Sequence, residues 1–96
     1  MKVVCPPKFV QEALAQAGPV REGLSKVLRI TGELSFAQLL NHQGVHLEKL
    51  TGRQDPATKR PLYSLRVTRA ARLTALVEGE ILVLLHLEPD HDKVYR

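Results

Sequence analysis

The amino-acid sequence predicts an α+β protein in which two to three N-terminal helices pack on an antiparallel sheet of four to five strands. Its first half carries apolar residues at helical spacing, whereas its second half carries short stretches in which apolar and polar residues alternate. The chain has 96 residues, of which 44% are hydrophobic and 25% are charged, values typical of a small soluble protein. We therefore expect a single domain over residues 1–96, with its helices on one face of the sheet.

The N-terminal segment is predicted to contain a strand and then a helix. Met1 to Cys5 forms the strand, which Pro6 and Pro7 end. Apolar residues at helical spacing indicate the first helix: Phe9, Ala13, Leu14 and Ala17. Gly18 closes this helix, and Pro19 follows it.

Two further helices are expected before residue 44. The second helix begins at Pro19, since proline is a favoured first-turn residue. Its core-facing stripe consists of Val20, Leu24, Val27 and Leu28. Thr31 and Gly32 are expected to loosen the end of this helix. Ser35 followed by Gln38 is a capping-box pattern, which starts a short third helix from Phe36 to Asn41.

The rest of the chain is predicted to form strands joined by short connections. Val45 to Leu50 is the first strand, and Thr51 to Pro61 is a polar loop. Alternating apolar residues indicate two more strands, one with Tyr63, Leu65 and Val67 and one with Leu73, Ala75 and Val77. Glu78 and Gly79 form a tight hairpin turn. Ile81 to Leu87 is apolar enough for a central strand that is buried on both faces.

Basic residues are concentrated in one part of the chain. Between residues 45 and 72 there are seven Lys or Arg residues and two acidic residues, whereas residues 78–92 contain five acidic residues and no Lys or Arg. The basic stretch is typical of a protein that binds an anionic partner, such as nucleic acid or an acidic protein segment. A solvated polar surface is the alternative that charge alone leaves open.

Several classes of protein are disfavoured by the sequence. No apolar run approaches the ~20 residues that span a bilayer, so the chain is expected to be cytoplasmic and to have no membrane partner. The single cysteine, Cys5, excludes an internal disulfide and a cysteine-based zinc site, and we interpret it as a buried apolar residue. His86 and His91 are too few for a zinc site, so we expect neither a metal nor a cofactor. His86 is expected to share a strand face with Leu82 and Leu84 and to have a structural role.

The residue types in and after the basic stretch suit RNA cleavage without a metal ion. The 2′-hydroxyl must lose a proton and the leaving 5′-oxygen must gain one, and histidine can carry out either transfer near neutral pH. Arg and Lys can offset the charge of a pentavalent phosphate, and Tyr or Arg can stack on a base. The candidate residues for this chemistry are His46, Lys49, Arg66, Arg72, His91 and Tyr95.

Five sequence segments, taken in this order, form a pattern that extends over nearly the whole chain: MKVVCPPKF, HLEKLTG, LYSLRVTRAARLTAL, GEILVLLHL and HDKVYR. Together they resemble the RelE/ParE toxin superfamily. RelE-like members of that family are ribosome-dependent mRNA endoribonucleases that an antitoxin holds inactive. The resemblance therefore implies a toxin with that activity, with a cognate antitoxin and mRNA on the ribosome as its partners.

The resemblance also implies roles for individual residues. Arg72 stands where the family has an arginine for the scissile phosphate, and Arg66 lies in the neighbouring strand. Tyr95 matches the C-terminal aromatic residue that stacks on the substrate base. His91 matches the catalytic histidine of YafQ-like members, and His46 roughly matches a second histidine of that subgroup. The expected RNA-binding residues are Lys49, Arg53, Lys59, Arg60 and Arg69.

A non-enzymatic role is the alternative. ParE-like members share the fold but block DNA gyrase and have no nuclease site. The acidic residues around His91 and the presence of Ala71, where the family often has an aromatic residue, favour this alternative. The chain would then be a gyrase inhibitor, or a degenerate RelE-fold module that binds protein or nucleic acid.

Overall fold

Helices and strands follow one another in the order that the sequence predicts. The computed structural model describes residues 1–89. Its elements are β1 (Lys2–Val4), α1 (Pro7–Leu14), α2 (Gly18–Glu33), α3 (Phe36–Leu40), β2 (Glu48–Gln54), β3 (Pro61–Arg66), β4 (Arg72–Glu78) and β5 (Ile81–Glu88). Within this range the strands form one sheet in the order β1-β5-β4-β3-β2, which confirms the α+β fold class. None of the described helices is long and apolar enough to cross a bilayer.

The sheet is mixed because its first strand joins it in parallel. Strands β2 to β5 are antiparallel neighbours, as the sequence predicts. β1 instead lies parallel to β5, with Lys2 opposite Ile81. Cys5, just after β1, is exposed, so the prediction that it is buried is wrong. Its partial burial still raises the pKa of the thiol, because desolvation disfavours the thiolate.

α2 continues without interruption to Glu33, so the loosening expected at Thr31 and Gly32 is wrong. The Thr31 hydroxyl donates to the carbonyl oxygens of Val27 at 2.8 Å and Leu28 at 3.2 Å. Because this hydroxyl is satisfied inside its own helix, Thr31 is buried without losing a hydrogen bond. α2 thereby presents a longer face to the sheet than the sequence indicates.

α3 begins as the sequence predicts. The Gln38 backbone N–H donates to Ser35 Oγ at 3.2 Å, and the Ser35 backbone N–H donates to Gln38 Oε1 at 2.9 Å. These two bonds form the capping box, which satisfies donors that the first turn of a helix leaves free.

The apolar core lies between the helices and one face of the sheet. The helices contribute Phe9, Leu24, Val27, Ile30 and Leu39. The strands contribute Leu65, Leu73, Ala75, Leu82, Leu84 and Leu87. Because side chains alternate along a strand, the residues between these positions point to the opposite face of the sheet, which the helices leave open.

The apolar sequence of β5 predicts burial on both faces, and the structure contradicts this prediction. Leu82 and Leu84 have an exposed fraction of 0%, whereas His86 is exposed. The register with β4 shifts between them, because Ala75 lies opposite Leu84 and Thr74 lies opposite His86. The extra residue turns His86 away from the face of Leu82 and Leu84, which corrects its expected orientation.

α1 covers the part of β5 that has no neighbouring strand. β1 pairs only with residues 81–83, so the backbone donors further along this edge of β5 need other partners. The Leu87 backbone N–H donates to Glu12 Oε2 at 2.8 Å, and Glu12 Oε1 lies 3.4 Å from His86 Nδ1. The Glu12 carboxylate thus occupies the place that a strand carbonyl would take.

Replacement of Gly23 by alanine is expected to destabilise the protein. A Cβ atom at this position of α2 would lie 2.2 Å from the backbone oxygen of Val67, just beyond β3. Backbone cannot move aside as a flexible side chain can, so α2 must shift away from the sheet. We expect Gly23→Ala to lower the free energy of unfolding by roughly 2–3 kcal/mol, measured by urea denaturation.

The control for this substitution is Gly32 in the same helix. A Cβ atom there meets nothing within 4 Å. Gly32→Ala is expected to leave stability unchanged or to raise it by up to about 1 kcal/mol, because alanine favours the helix. Equal effects of the two substitutions would contradict the close approach of α2 to Val67.

Candidate functional site

Polar side chains share the open face of the sheet near the ends of β2, β3 and β4. Glu48 lies opposite Ser64, and Ser64 lies opposite Thr74. Two residues further along, Arg66 lies opposite Arg72. Because residues in register point to the same face and side chains alternate along each strand, all five are on the helix-free side.

A cavity of about 390 Å³ opens beside this polar row. It is lined by Glu48, Lys49, Leu50, Thr51, Arg53, Ser64 and Arg72. Three of these residues are cationic and one is acidic, so the surroundings of the cavity carry a net positive charge. A second cavity of about 260 Å³ shares Lys49, Leu50 and Arg53 with the first and also contacts Gly52, Gln54 and Pro61.

Arg72 has buried donors that nothing within residues 1–89 satisfies. Its Nε and Nη1 atoms are buried and have no hydrogen-bond partner there. The neighbours in register are Arg66 on β3 and Glu88 on β5. A buried unsatisfied donor costs about 1–3 kcal/mol, more when it is charged, and two like charges opposite each other add to this. Arg72 also lines the cavity, so an anion there would lie beside the guanidinium and offset the repulsion between the two arginines.

The other two cationic residues of the cavity, Lys49 and Arg53, lie on β2, which has a bulge between Lys49 and Gln54. Lys49 lies opposite Tyr63 and Gln54 lies opposite Pro61, so β2 uses more residues than β3 between these pairs. Gly52 has φ +74°, a backbone conformation that glycine adopts without steric cost. The sequence predicts a strand from Val45 to Leu50 and then a loop. In the structure the strand runs from Glu48 to Gln54, and both Lys49 and Arg53 line the cavity.

His46 lies beside the cavity but does not line it. Its Nε2 is 3.5 Å from Glu48 Oε2, and Glu48 is the residue that faces the cavity. His46 has φ +46°, which is uncommon for a residue other than glycine. The residue before it is held in place, because the Arg66 backbone N–H donates to the Val45 oxygen at 2.7 Å.

Sequence reasoning missed Glu48, whose only signal was its position two residues after a histidine.

The remaining predicted RNA-binding residues lie outside both cavities. Arg60 pairs with Glu78, with 3.0 Å between Arg60 Nε and Glu78 Oε1. Lys59 and Arg69 are exposed in the connections that flank β3. Of the five predicted RNA-binding residues, the structure therefore brings Lys49 and Arg53 together with Arg72.

The connection that carries Lys59 is closed by backbone hydrogen bonds between Asp55 and residues 59 and 60, and the Asp55 carboxylate braces it further. The Thr58 backbone N–H and hydroxyl both donate to Asp55 Oδ2 at 2.9 Å. These hydrogen bonds favour the charged form and lower the pKa of Asp55. The connection is thus a braced turn at the far end of β2.

Two predicted site residues cannot be placed. His91 and Tyr95 lie outside the described residues. The other tyrosine, Tyr63, packs edge-on against Phe36 with ring centroids 5.8 Å apart, so its ring faces the helices and not the cavity. Across residues 1–89, His, Cys, Asp and Glu side chains form no group of three or more that could hold a metal ion.

Comparison with known proteins shows the fold of the chain. No protein-family model matches it. No curated protein matches it either. Among solved structures, a chain of the RelB–RelE antitoxin–toxin complex from Methanococcus jannaschii is similar, with a TM-score of 0.68, 14% identity and coverage of 96% of this chain and 94% of that chain. A copper-bound mutant toxin from Helicobacter pylori is similar with a TM-score of 0.55, 17% identity and coverage of 98% of each chain. The protein therefore has a RelE-like fold.

Occupation of the cavity by an anion is expected to depend on Arg72. Pyrophosphate at about ten times its Kd should stabilise the wild-type protein by about 1.4 kcal/mol, which raises its Tm by roughly 5–10 °C. Arg72→Met should remove this gain. Without anion, the variant should be at least as stable as the wild type, because it no longer buries unsatisfied donors. Thermal denaturation followed by circular dichroism measures both effects.

The control is Arg60→Met, which removes the same charge outside the cavities. It should keep the full response to pyrophosphate. If Arg72→Met responds as strongly as Arg60→Met, the anion does not bind at Arg72.

Proposed function

We propose that the protein is the toxin of a toxin–antitoxin pair and that it cleaves messenger RNA bound to the ribosome, in the cytoplasm. The observation that carries the proposal is a cavity lined by Arg72, Lys49 and Arg53, together with two buried Arg72 donors that have no hydrogen-bond partner within residues 1–89. Such a site suits an anion that arrives from outside the protein. The RelE-like fold and the resemblance of the sequence to RelE-like toxins favour RNA as the source of that anion.

The cations of the cavity fit the charge changes of RNA cleavage. Attack of the 2′-oxygen on phosphorus forms a pentavalent phosphate with additional negative charge, and departure of the 5′-oxygen breaks the chain. Arg72, with Lys49 and Arg53 beside it, would bind the phosphate and stabilise this transition state. His91 as a proton donor and Tyr95 as a stacking platform are parts of the proposal that rest on the resemblance alone.

Cleavage of mRNA should require Arg72. Purified protein is incubated with ribosomes that carry a defined mRNA and an empty A site, and cleavage is mapped by primer extension. We expect the wild type to cut the mRNA at that site and Arg72→Met to cut it at least about 100-fold more slowly, because a charge-stabilising group is lost. Arg60→Met should cut at the wild-type rate.

Intact mRNA in the presence of folded wild-type protein would contradict the proposed activity. The same preparation is then tested for inhibition of DNA supercoiling by gyrase. Inhibition that persists in Arg72→Met would instead support the ParE-like alternative.

A cognate antitoxin should neutralise the protein in cells. The M. jannaschii structure contains an antitoxin with its toxin. For this chain, the basic stretch from residue 45 to residue 72 is the surface that we propose for an acidic segment of such a partner. Expression of the chain alone should arrest growth, and co-expression of a small gene directly beside its own should restore growth. Restored growth without a complex of the two proteins in pull-down experiments would contradict direct neutralisation.

A further inference from the structure

The second cavity differs from the first in the chemistry of its lining. It shares two cations, Lys49 and Arg53, with the first cavity, and among the described residues its lining contains no acid. The rest of the lining is apolar or neutral: Leu50, Gly52, Gln54 and Pro61. The second cavity therefore joins a cationic side to an uncharged side, and Gln54 supplies the amide on that uncharged side.

The second cavity lies at the bulge of β2. Gln54, the last residue of the strand, lies opposite Pro61. Ahead of this pair, residues 50–53 lie across from a single residue of β3, Leu62. Gly52, with φ +74°, gives the chain a turn that other residues rarely adopt. Because the bulged residues leave the regular ladder, they open space that an evenly paired strand does not have.

The size and lining of the second cavity suit a nucleobase. Its volume is about 260 Å³. Since a water molecule takes about 30 Å³ of the liquid, the cavity has room for a planar ring system. Leu50 and Pro61 are half-buried, and Gln54 is exposed, so a ligand can reach the amide. Apolar walls with a single well-placed polar group are typical of pockets that bind and orient a flat organic ligand.

The shared cations link this pocket to the phosphate site. Lys49 and Arg53 line both cavities, whereas Arg72 lines the first. A phosphate held among these three cations lies at the border between the two cavities. In a nucleotide one ribose joins the base to the phosphate, so a base attached to this phosphate can enter the second cavity while the phosphate keeps its cationic contacts.

We propose that the second cavity binds the base of a nucleotide next to the scissile phosphate and that Gln54 selects adenine there; this inference rests on the proposed ribonuclease function. The Gln54 side chain presents a donor, Nε2, beside an acceptor, Oε1. Adenine presents the complementary pair, its amino group beside a ring nitrogen, on both its Watson–Crick and its Hoogsteen edge. Two parallel hydrogen bonds between glutamine and adenine are a recurring contact in nucleic-acid recognition. The protein thus cleaves fastest beside an adenine.

Binding is tested with 2′-O-methyl dinucleotides, which lack the attacking hydroxyl and so remain intact. The wild type is titrated by isothermal calorimetry with four dinucleotides, each carrying one of the four bases twice, and with an abasic analogue. We expect the adenine dinucleotide to bind about 5- to 10-fold more tightly than the uracil dinucleotide. It should bind at least about 10-fold more tightly than the abasic analogue, because that analogue leaves the second cavity unfilled.

Gln54→Leu removes the amide and keeps a side chain of similar size. This variant should bind the four dinucleotides with equal affinity. Its stabilisation by pyrophosphate, which reports on the first cavity, should equal that of the wild type. The control is Gln11→Leu, which changes an exposed glutamine of α1 that lines neither cavity and should keep the preference for adenine.

Ribosome-bound mRNAs that differ only in the nucleotides beside the cut extend the test to cleavage. The wild type should cut beside adenine about 5- to 10-fold faster than beside uracil. Gln54→Leu should cut both mRNAs at the same rate, and Gln11→Leu should behave as the wild type.

Each other outcome contradicts a defined part of the proposal. Equal binding and equal cleavage for all four bases overturn the base pocket and leave the proposed function intact. An adenine preference that survives in Gln54→Leu overturns the role of Gln54. Loss of the pyrophosphate response in Gln54→Leu assigns the amide to the first cavity. If mRNA stays intact while the wild type binds the adenine dinucleotide selectively through Gln54, the proposed function alone is overturned; if no dinucleotide binds either, both are.

Discussion

The helices pack on one face of the sheet only, and the position of every polar group in the site depends on this packing. α2 approaches the sheet so closely that Gly23 has no room for a Cβ atom beside Val67. The core residues of β3, β4 and β5 are turned towards the helices. Strand alternation then directs Ser64, Arg66 and Arg72 to the other side. A polar site on this face thus requires no break in the core, and substitutions there need not disturb folding.

At Arg72 the stability of the fold is opposed to the anion binding that we propose. The folded chain buries two donors of a permanently charged guanidinium without a partner in residues 1–89. A buried apolar side chain of similar length would stabilise the fold better. Proteins tolerate such groups where they serve a function, and anion binding is the function that we propose for Arg72.

Elements that depend on local chemistry could be predicted from the sequence, and elements that depend on register could not. The Ser35–Gln38 capping box and the alternation around Leu65 are decided by neighbours in the chain, and both predictions are confirmed. Residues 51–54, the second half of β2, were predicted to be a loop because they are mostly polar. An edge strand is held by backbone hydrogen bonds, so exposed polar side chains do not prevent it from forming. Glu48 was missed for a related reason: its place beside Arg72 depends on the register of three strands, which no short sequence pattern contains.

Glu12 links the position of α1 to the free edge of β5. Its carboxylate accepts a hydrogen bond from the Leu87 backbone N–H. Another strand would use this donor if it paired with β5 past the end of β1. The two partners exclude each other, so any polypeptide that adds to this edge must first displace α1. Phe9, which is 2% exposed, anchors the same helix in the core. Pairing of another polypeptide with this edge of β5 therefore requires the loss of buried apolar contacts of α1 as well as of one hydrogen bond.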